Sequence, residues 1–295
     1  MEALSRTTAV DCVVTTPDKP RGRNLHTKPS SLKEWANANG VRVLDYSKEE
    51  PLLLLPTLKE VRPDLLVVIS FGALLRSELL AVPRLYSLNV HASLLPKYRG
   101  AAPIQFALLN GDAQTGVSVM RIIERLDAGD IFLQKETPIG PEENRLELEK
   151  RLSTLAGSVI VEAIDTIERG NAKWTVQEDT KATYTRKISK SDGKINWQCE
   201  AAEIGRQVRA FLGWPGTFTF FGGKRLLVLK AQVAAGKEGP KPGTVIESSE
   251  DRGLLIAAGA NTALGVMELQ LEGKKAMPWK EFRKGFALPS GAVFE

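Results

Sequence analysis

Residues that build disulfide frameworks or metal clusters are scarce here: 295 residues hold two cysteines and two histidines. Cys12 and Cys199 stand far apart without metal-ligand spacing, which excludes a disulfide scaffold and leaves no zinc cluster to expect. A reducing compartment fits this usage, with Cys12 expected in an apolar strand of the core. Long apolar runs are missing too. Pro51-Leu-Leu-Leu-Leu-Pro56 is far short of the roughly 20 residues that cross a bilayer. The first residues, Met-Glu-Ala-Leu-Ser-Arg, lack the apolar core of a secretory signal. The expectation is a soluble monomer with no membrane partner, cytoplasmic in a bacterium or in an organellar matrix in a eukaryote.

What is present describes a globular protein: 43% hydrophobic and 25% charged residues, enough for one large or two ordinary domains. The net charge of +5 is uneven. Up to Ala172 there are 21 Lys and Arg against 22 Asp and Glu; from Lys173 onward the counts are 19 and 13. Two readings fit: a catalytic part joined to a module that meets a polyanion, or a solvated basic surface.

The first half alternates apolar runs with amphipathic stretches. Strands are expected at residues 9–15, 41–45, 65–70, 85–91, 116–123 and 131–135, and helices at 29–40, 51–61, 102–110 and 146–167. The run Leu65-Leu-Val-Val-Ile-Ser70 has the composition of a parallel strand buried on both faces. The fold class is α/β, an open sheet whose binding residues lie beyond the carboxyl ends of strands. Residues 173–195 are polar and read as a linker between a domain at 1–172 and a second at 196–295. After a helix near 200–211, strands near 217–221, 226–233, 243–247, 253–258 and 264–271 are separated by Gly and Pro, the pattern of a small β-barrel.

The chemistry concentrates around His91, in Asn89-Val-His-Ala-Ser-Leu-Leu-Pro-Lys-Tyr-Arg-Gly-Ala-Ala-Pro103. Two residues apart on a strand, Asn89 and His91 share a face. Asp127, in Arg125-Leu-Asp-Ala-Gly-Asp130, is a carboxylate available to the imidazole. An amide, an imidazole and a carboxylate can polarise a carbonyl and stabilise the oxyanion formed when a nucleophile attacks. The plainer reading makes Asn89 a strand-end hydrogen-bonder and Asp127 a turn residue. Spacing alone does not separate the two.

The run around His91, with Gly111-Asp112, Thr115-Gly116, Leu126-Asp-Ala-Gly-Asp130, Ser189-Lys190, Trp214-Pro215 and Pro242-Gly-Thr244, resembles the signature of folate-dependent formyltransferases. Within them it resembles the methionyl-tRNA formyltransferase family, over nearly the whole chain from about Cys12. The resemblance implies a Rossmann-like formyltransferase domain followed by an OB-like barrel that binds tRNA. It also implies transfer of a formyl group from 10-formyltetrahydrofolate to the α-amino group of methionyl-initiator tRNA, in translation initiation. Asn89, His91 and Asp127 then match the catalytic positions, with Asp127 holding the imidazole charged. Ser93, Leu94, Leu95 and Pro96 match the folate-binding segment, and Ile69, Ser70, Phe71 and Gly72 the backbone lining the pterin pocket.

Residues 15–30 form a basic stretch whose Pro and Gly content argues against regular structure. Alone it reads as solvated; under the resemblance it engages the acceptor arm, with Arg21 and Arg23 on tRNA and Arg23 as the key arginine. By composition Lys187 and Lys190 lie in an exposed linker; the resemblance implies that they are further tRNA contacts, continued by Lys224, Arg225, Lys274 and Lys275. His26 has no evident partner.

The family pattern starts with a strand and a Gly-Thr-Pro loop that do not occur in this chain, so residues 9–15 or 65–70 are expected to lack a sheet neighbour. Two alternatives share parts of the signature: a formyltransferase acting on a small amine such as glycinamide ribonucleotide or an amino sugar, and an inactive RNA-binding relic.

Overall fold

A computed structural model of the chain describes residues 1–21, 26–250 and 253–295. It forms two compact units, one of Met1–Gly100, Gly116–Thr137 and Arg151–Tyr184, the other of Ala101–Thr115, Pro138–Lys150 and Thr185–Glu295. The chain therefore passes between them more than once.

In the first unit the strand Cys12–Thr15 pairs in parallel with Arg42–Asp45. They are joined through the helix Ser31–Ala38, whose first turn is capped by Ser30 accepting from Lys33 N at 3.2 Å. A four-stranded sheet follows in the spatial order Leu65–Ile69, Tyr86–His91, Gln114–Arg121, Ile131–Pro138. Its first pair is parallel and its second antiparallel. Among the described residues no pairing joins Cys12–Thr15 to Leu65–Ile69, and each of these strands pairs along one edge only.

That edge also corrects an expectation. Leu65–Ile69 is half-buried, not covered on both faces, and Ile69 is 44% exposed. A continuous apolar run marks a buried strand only when neighbours flank it on both sides. Cys12 is half-buried as well; it packs against the cluster of Tyr46, Leu54, Leu58 and Leu79, and burial pushes its thiol pKa up.

The basic stretch departs further from expectation. Lys19–Arg21 and His26–Lys28 pair as a short antiparallel hairpin, with Pro20 opposite Thr27. Proline is tolerated there because a two-stranded ribbon is all edge, so its missing N–H costs no inner ladder bond.

The second unit is built on an antiparallel sheet in the spatial order Thr217–Phe221, Lys224–Ala235, Thr262–Leu271, Gly253–Ala258, Val245–Ser249, with Met277–Pro278 beside Thr262–Leu271. Register shifts on either side of Lys230 bend the long antiparallel pair of Lys224–Ala235 with Thr262–Leu271. Among the described residues no strand pair closes this sheet into the expected barrel. The C-terminal tail spans the gap instead. On one side Val245 N donates to Ala292 O at 2.8 Å and Phe294 N to Gly243 O at 2.9 Å; on the other Glu295 N donates to Phe220 O at 3.0 Å. The sheet wraps a core of Leu226, Val228, Leu254, Ile256, Leu264 and Leu269, against which the helix Ala201–Ala210 sets Ala201, Ile204 and Val208. That spacing is one helical face.

Candidate active site

Residues Asn89 and His91 end the strand Tyr86–His91, and the pleat turns Leu88 and Val90 to the opposite, buried face. Asp127 comes from the turn after Gln114–Arg121, where its backbone adopts a left-handed φ of +46°. The three side chains meet. Asn89 Nδ2 donates to Asp127 Oδ1 at 3.4 Å, and His91 Nδ1 lies 3.7 Å from Asp127 Oδ2. Gly100 N donates to that same Oδ2 at 2.7 Å. The ring's other nitrogen is committed: Nε2–H donates to Tyr98 O at 2.9 Å, which leaves Nδ1 as the atom turned to the carboxylate. The imidazole is 7% exposed.

The loop after His91 is held from beneath by Ser118, opposite His91 in the sheet. Ser118 Oγ donates to Ser93 O at 2.6 Å and accepts from Leu95 N at 3.1 Å. Gln134 Nε2 donates to Ser118 Oγ and to Leu95 O at 2.8 and 2.9 Å. The Ser118 bonds to Ser93 and Leu95 are buried and those of Gln134 part-buried, a paired network that stiffens the loop. Gly116 is required beside it, because a Cβ would fall 2.2 Å from Lys135 O and 2.5 Å from Leu94 Cδ2.

Residues 2–164 match a family model described as formyl transferase, and residues 187–287 one described as formyl transferase, C-terminal domain. The chain is 38% identical over 289 residues to the methionyl-tRNA formyltransferase of Geotalea daltonii, spanning 98% of this chain and 91% of that protein. The protein of the same name from Geobacter sulfurreducens is also 38% identical, over 98% and 90%. This chain belongs to the methionyl-tRNA formyltransferase family. Among solved structures it is similar in fold to the sugar 3N-formyl transferase WlaRD, with a TM-score of 0.63 and 21% identity over 90% of this chain and 88% of that one. It is likewise similar to HypX from Aquifex aeolicus in complex with tetrahydrofolic acid, with a TM-score of 0.61 and 20% identity over 84% of this chain and 44% of that one.

Within this methionyl-tRNA formyltransferase family member, the residues matched to folate divide by exposure. Ser93 is fully buried and its hydroxyl donates to Lys97 O at 2.6 Å, so it shapes the loop instead of facing outward. Leu95 is buried with Met120 and Ile131, whereas Leu94 and Pro96 are half-buried. In the segment 69–72, Phe71 packs edge-on against Tyr46, leaving exposed Ile69 and the backbone around Ser70 and Gly72, both at positive φ, open to a ligand.

Of the basic residues, Arg21 ends the first strand of the hairpin, and Arg23 lies outside the described residues. Lys187 and Lys190 are exposed. Lys190 opens a short 3₁₀ turn closed by Ser189 and Asp192, and Arg186 grips Asp192 at 2.6 Å, holding its carboxyl far below the usual range. Nearby cations lie over rings: Lys194 over Phe220 at 5.7 Å, Arg225 over Phe218 at 3.9 Å, Lys224 over Phe286 at 5.4 Å.

Sequence reasoning missed Ser118, Gln134 and Gln177. The last is 7% exposed, in the stretch taken for a polar linker, and donates to the Asp127 and Gly129 carbonyls. No period or motif marks it; its signal is burial, which exists only in the fold.

Proposed function

We propose that this protein transfers the formyl group of 10-formyltetrahydrofolate to the α-amino group of methionyl-initiator tRNA, acting as a monomer. The observation that carries the reading is the convergence of an amide, an imidazole and a carboxylate at a strand end, in a chain 38% identical to named methionyl-tRNA formyltransferases over nearly its full length.

The amine nitrogen attacks the formyl carbon, a new C–N bond forms, and the carbonyl π electrons move to oxygen. Asn89 offers that oxygen the N–H it does not spend on Asp127, and His91 offers a proton on Nδ1, since Nε2–H is held by Tyr98. This differs from an imidazole free at both nitrogens: only one edge of the ring faces the reaction. Asp127 accepts, directly or through water, the proton the amine loses. Collapse breaks the bond to the donor nitrogen, which takes up a proton. Leu94, Pro96, Ile69 and the 69–72 backbone supply an apolar wall with backbone polar groups beside it, a lining suited to a flat heterocycle carrying edge donors and acceptors. Arg21, Arg23, Lys187 and Lys190 contact the tRNA, whose phosphates the ring-backed cations of the second unit complement.

Asn89→Ala and His91→Ala are each expected to lower formyl transfer by about 10²–10³-fold, the usual cost of removing one oxyanion donor, and Asp127→Ala by about 10²–10⁴-fold, the usual contribution of a positioned base. Labelled formyl donor is offered with charged initiator tRNA and, separately, glycinamide ribonucleotide or an amino sugar. Turnover of the small amines with none of the tRNA, or near-normal turnover by the His91 variant, overturns the reading.

A further inference from the structure

We propose that Gln177, with the buried Arg99 behind it, is a positioning residue for Asp127. This rests on the part in the reaction given to Asp127 above. Asp127 holds a backbone conformation that L-residues adopt at a cost and that surrounding structure must enforce. Gln177 enforces it. Its Nε2 donates to the carbonyls of Asp127 at 2.9 Å and Gly129 at 2.7 Å, the two peptide groups that define the turn. Met120 Sδ is a more distant neighbour at 3.9 Å.

The amide's other end accepts from Arg99 Nε at 3.0 Å. Only one orientation of the amide satisfies this site, because turning it over would face two carbonyls with an oxygen and a guanidinium with an NH₂ group. Arg99 is fully buried and is itself aimed by Nη1 donating to Asp179 Oδ1 at 2.9 Å and to the Tyr184 hydroxyl at 3.1 Å. The residue after Arg99 is Gly100, whose N–H holds Asp127 Oδ2. The relay therefore grips Asp127 twice, at its backbone carbonyl and at its carboxylate. From behind, the turn abuts the Arg121 carbonyl so closely that a Cβ on Gly129 would fall 1.9 Å from it. The hydrogen bonds of Gln177 run to the turn and to Arg99, so its route to the chemistry is the aim of the carboxylate.

Gln177→Met keeps side-chain length and burial but removes both donors. Gln177→Glu keeps a partner for Arg99 while losing the donors, and serves if the first variant fails to fold by thermal melting. Turnover and KM for both substrates are measured in the parent and in an Asp127→Asn background. Expected is a fall in kcat of about 10²-fold, the scale of a misplacement near 1 Å, with both KM values close to the parent's. The double variant should be no slower than Asp127→Asn alone. The pH profile of kcat/KM should also move in the single variant. An undiminished kcat, or the same fold-loss in both backgrounds with an unmoved profile, overturns the relay. Parent-like turnover by Asp127→Asn overturns the part given to Asp127 itself, and the relay with it.

Discussion

The two units differ in the polar groups they bury beside their apolar cores. The first places polar side chains inside: Arg99, Ser93 and Ser118 are fully buried, and His91 and Gln177 are 7% exposed, with hydrogen-bond partners for each residue. The second buries aliphatic and aromatic groups, with the hydroxyls of Thr217 and Thr219 beside them, and sets several cations over rings. Buried polar networks fix geometry, because every unmade bond in them is costly; apolar cores fix stability and leave the surface free to change. The contrast accords with the proposal that the first unit aims reacting atoms and the second meets a polyanion.

The sharpest way to break that contrast is to hollow out the apolar core. Leu264 is fully buried, and Leu264→Ala should cost about 2–5 kcal/mol by chemical denaturation. A change below about 1 kcal/mol would mean the second unit rests on something besides its core.

Next comes the polar network. Gln134→Met removes two bonds under the Ser93–Pro96 loop and leaves a buried carbonyl and hydroxyl short of a donor, an expected cost of about 1–3 kcal/mol. If the loop serves the folate, KM for the formyl donor should rise while KM for tRNA stays level. A matched rise in both would make the network a general support of the fold.

Much of this is legible in the chain itself. Asn89 and His91 can be paired because a strand repeats every two residues, and Asp127 joins them only through the family resemblance that its Leu-Asp-Ala-Gly-Asp context helps carry. The helix Arg145–Glu168 is legible from its apolar spacing, with Leu148, Leu152, Val159 and Ala163 all buried. Local pattern fails wherever partners decide the outcome. Leu65–Ile69 looks doubly buried in composition, yet among the described residues it is half-buried and pairs on one side. Pro20 suggests irregular chain where a hairpin tolerates it. Gln177 lies among polar residues and is distinguished only by what surrounds it. The helix Trp279–Gly285, with Trp279 and Phe282 buried, escapes because seven residues carry too little periodicity.

Smaller effects are expected on the outer face of the second unit. Lys187→Ala, Lys190→Ala and Arg225→Ala should each weaken tRNA binding modestly and lower the slope of log affinity against log salt by about 1 per phosphate no longer held. Arg225 is a particular case, because its guanidinium lies over Phe218 and 3.7 Å from Glu272. An unchanged slope for Arg225→Ala would mark it as a packing residue and narrow the polyanion face to the exposed lysines.

The finest test compares one carboxylate from each unit. Asp179 is held below the usual carboxylate range by hydrogen bonds from Arg125 and then Arg99, and Asp192 by Arg186. A carboxylate held low in the folded state stabilises it fully above the ordinary pKa of about 3.9, and the contribution is lost as pH falls toward the depressed value. Acid should therefore loosen both sites, and Asp179→Asn and Asp192→Asn should each flatten the dependence of melting temperature on pH below about 4. Their partners separate them. Arg186 is exposed and can turn to water, whereas Arg99 is fully buried and keeps its charge when Asp179 loses its own. Asp179→Asn should then slow turnover at neutral pH through the Gln177 relay, an effect read from kcat with the protein still folded. If it leaves kcat untouched while flattening the acid limb, Asp179 only stabilises, and the aim of Asp127 is set by Gln177 and Gly100 without it.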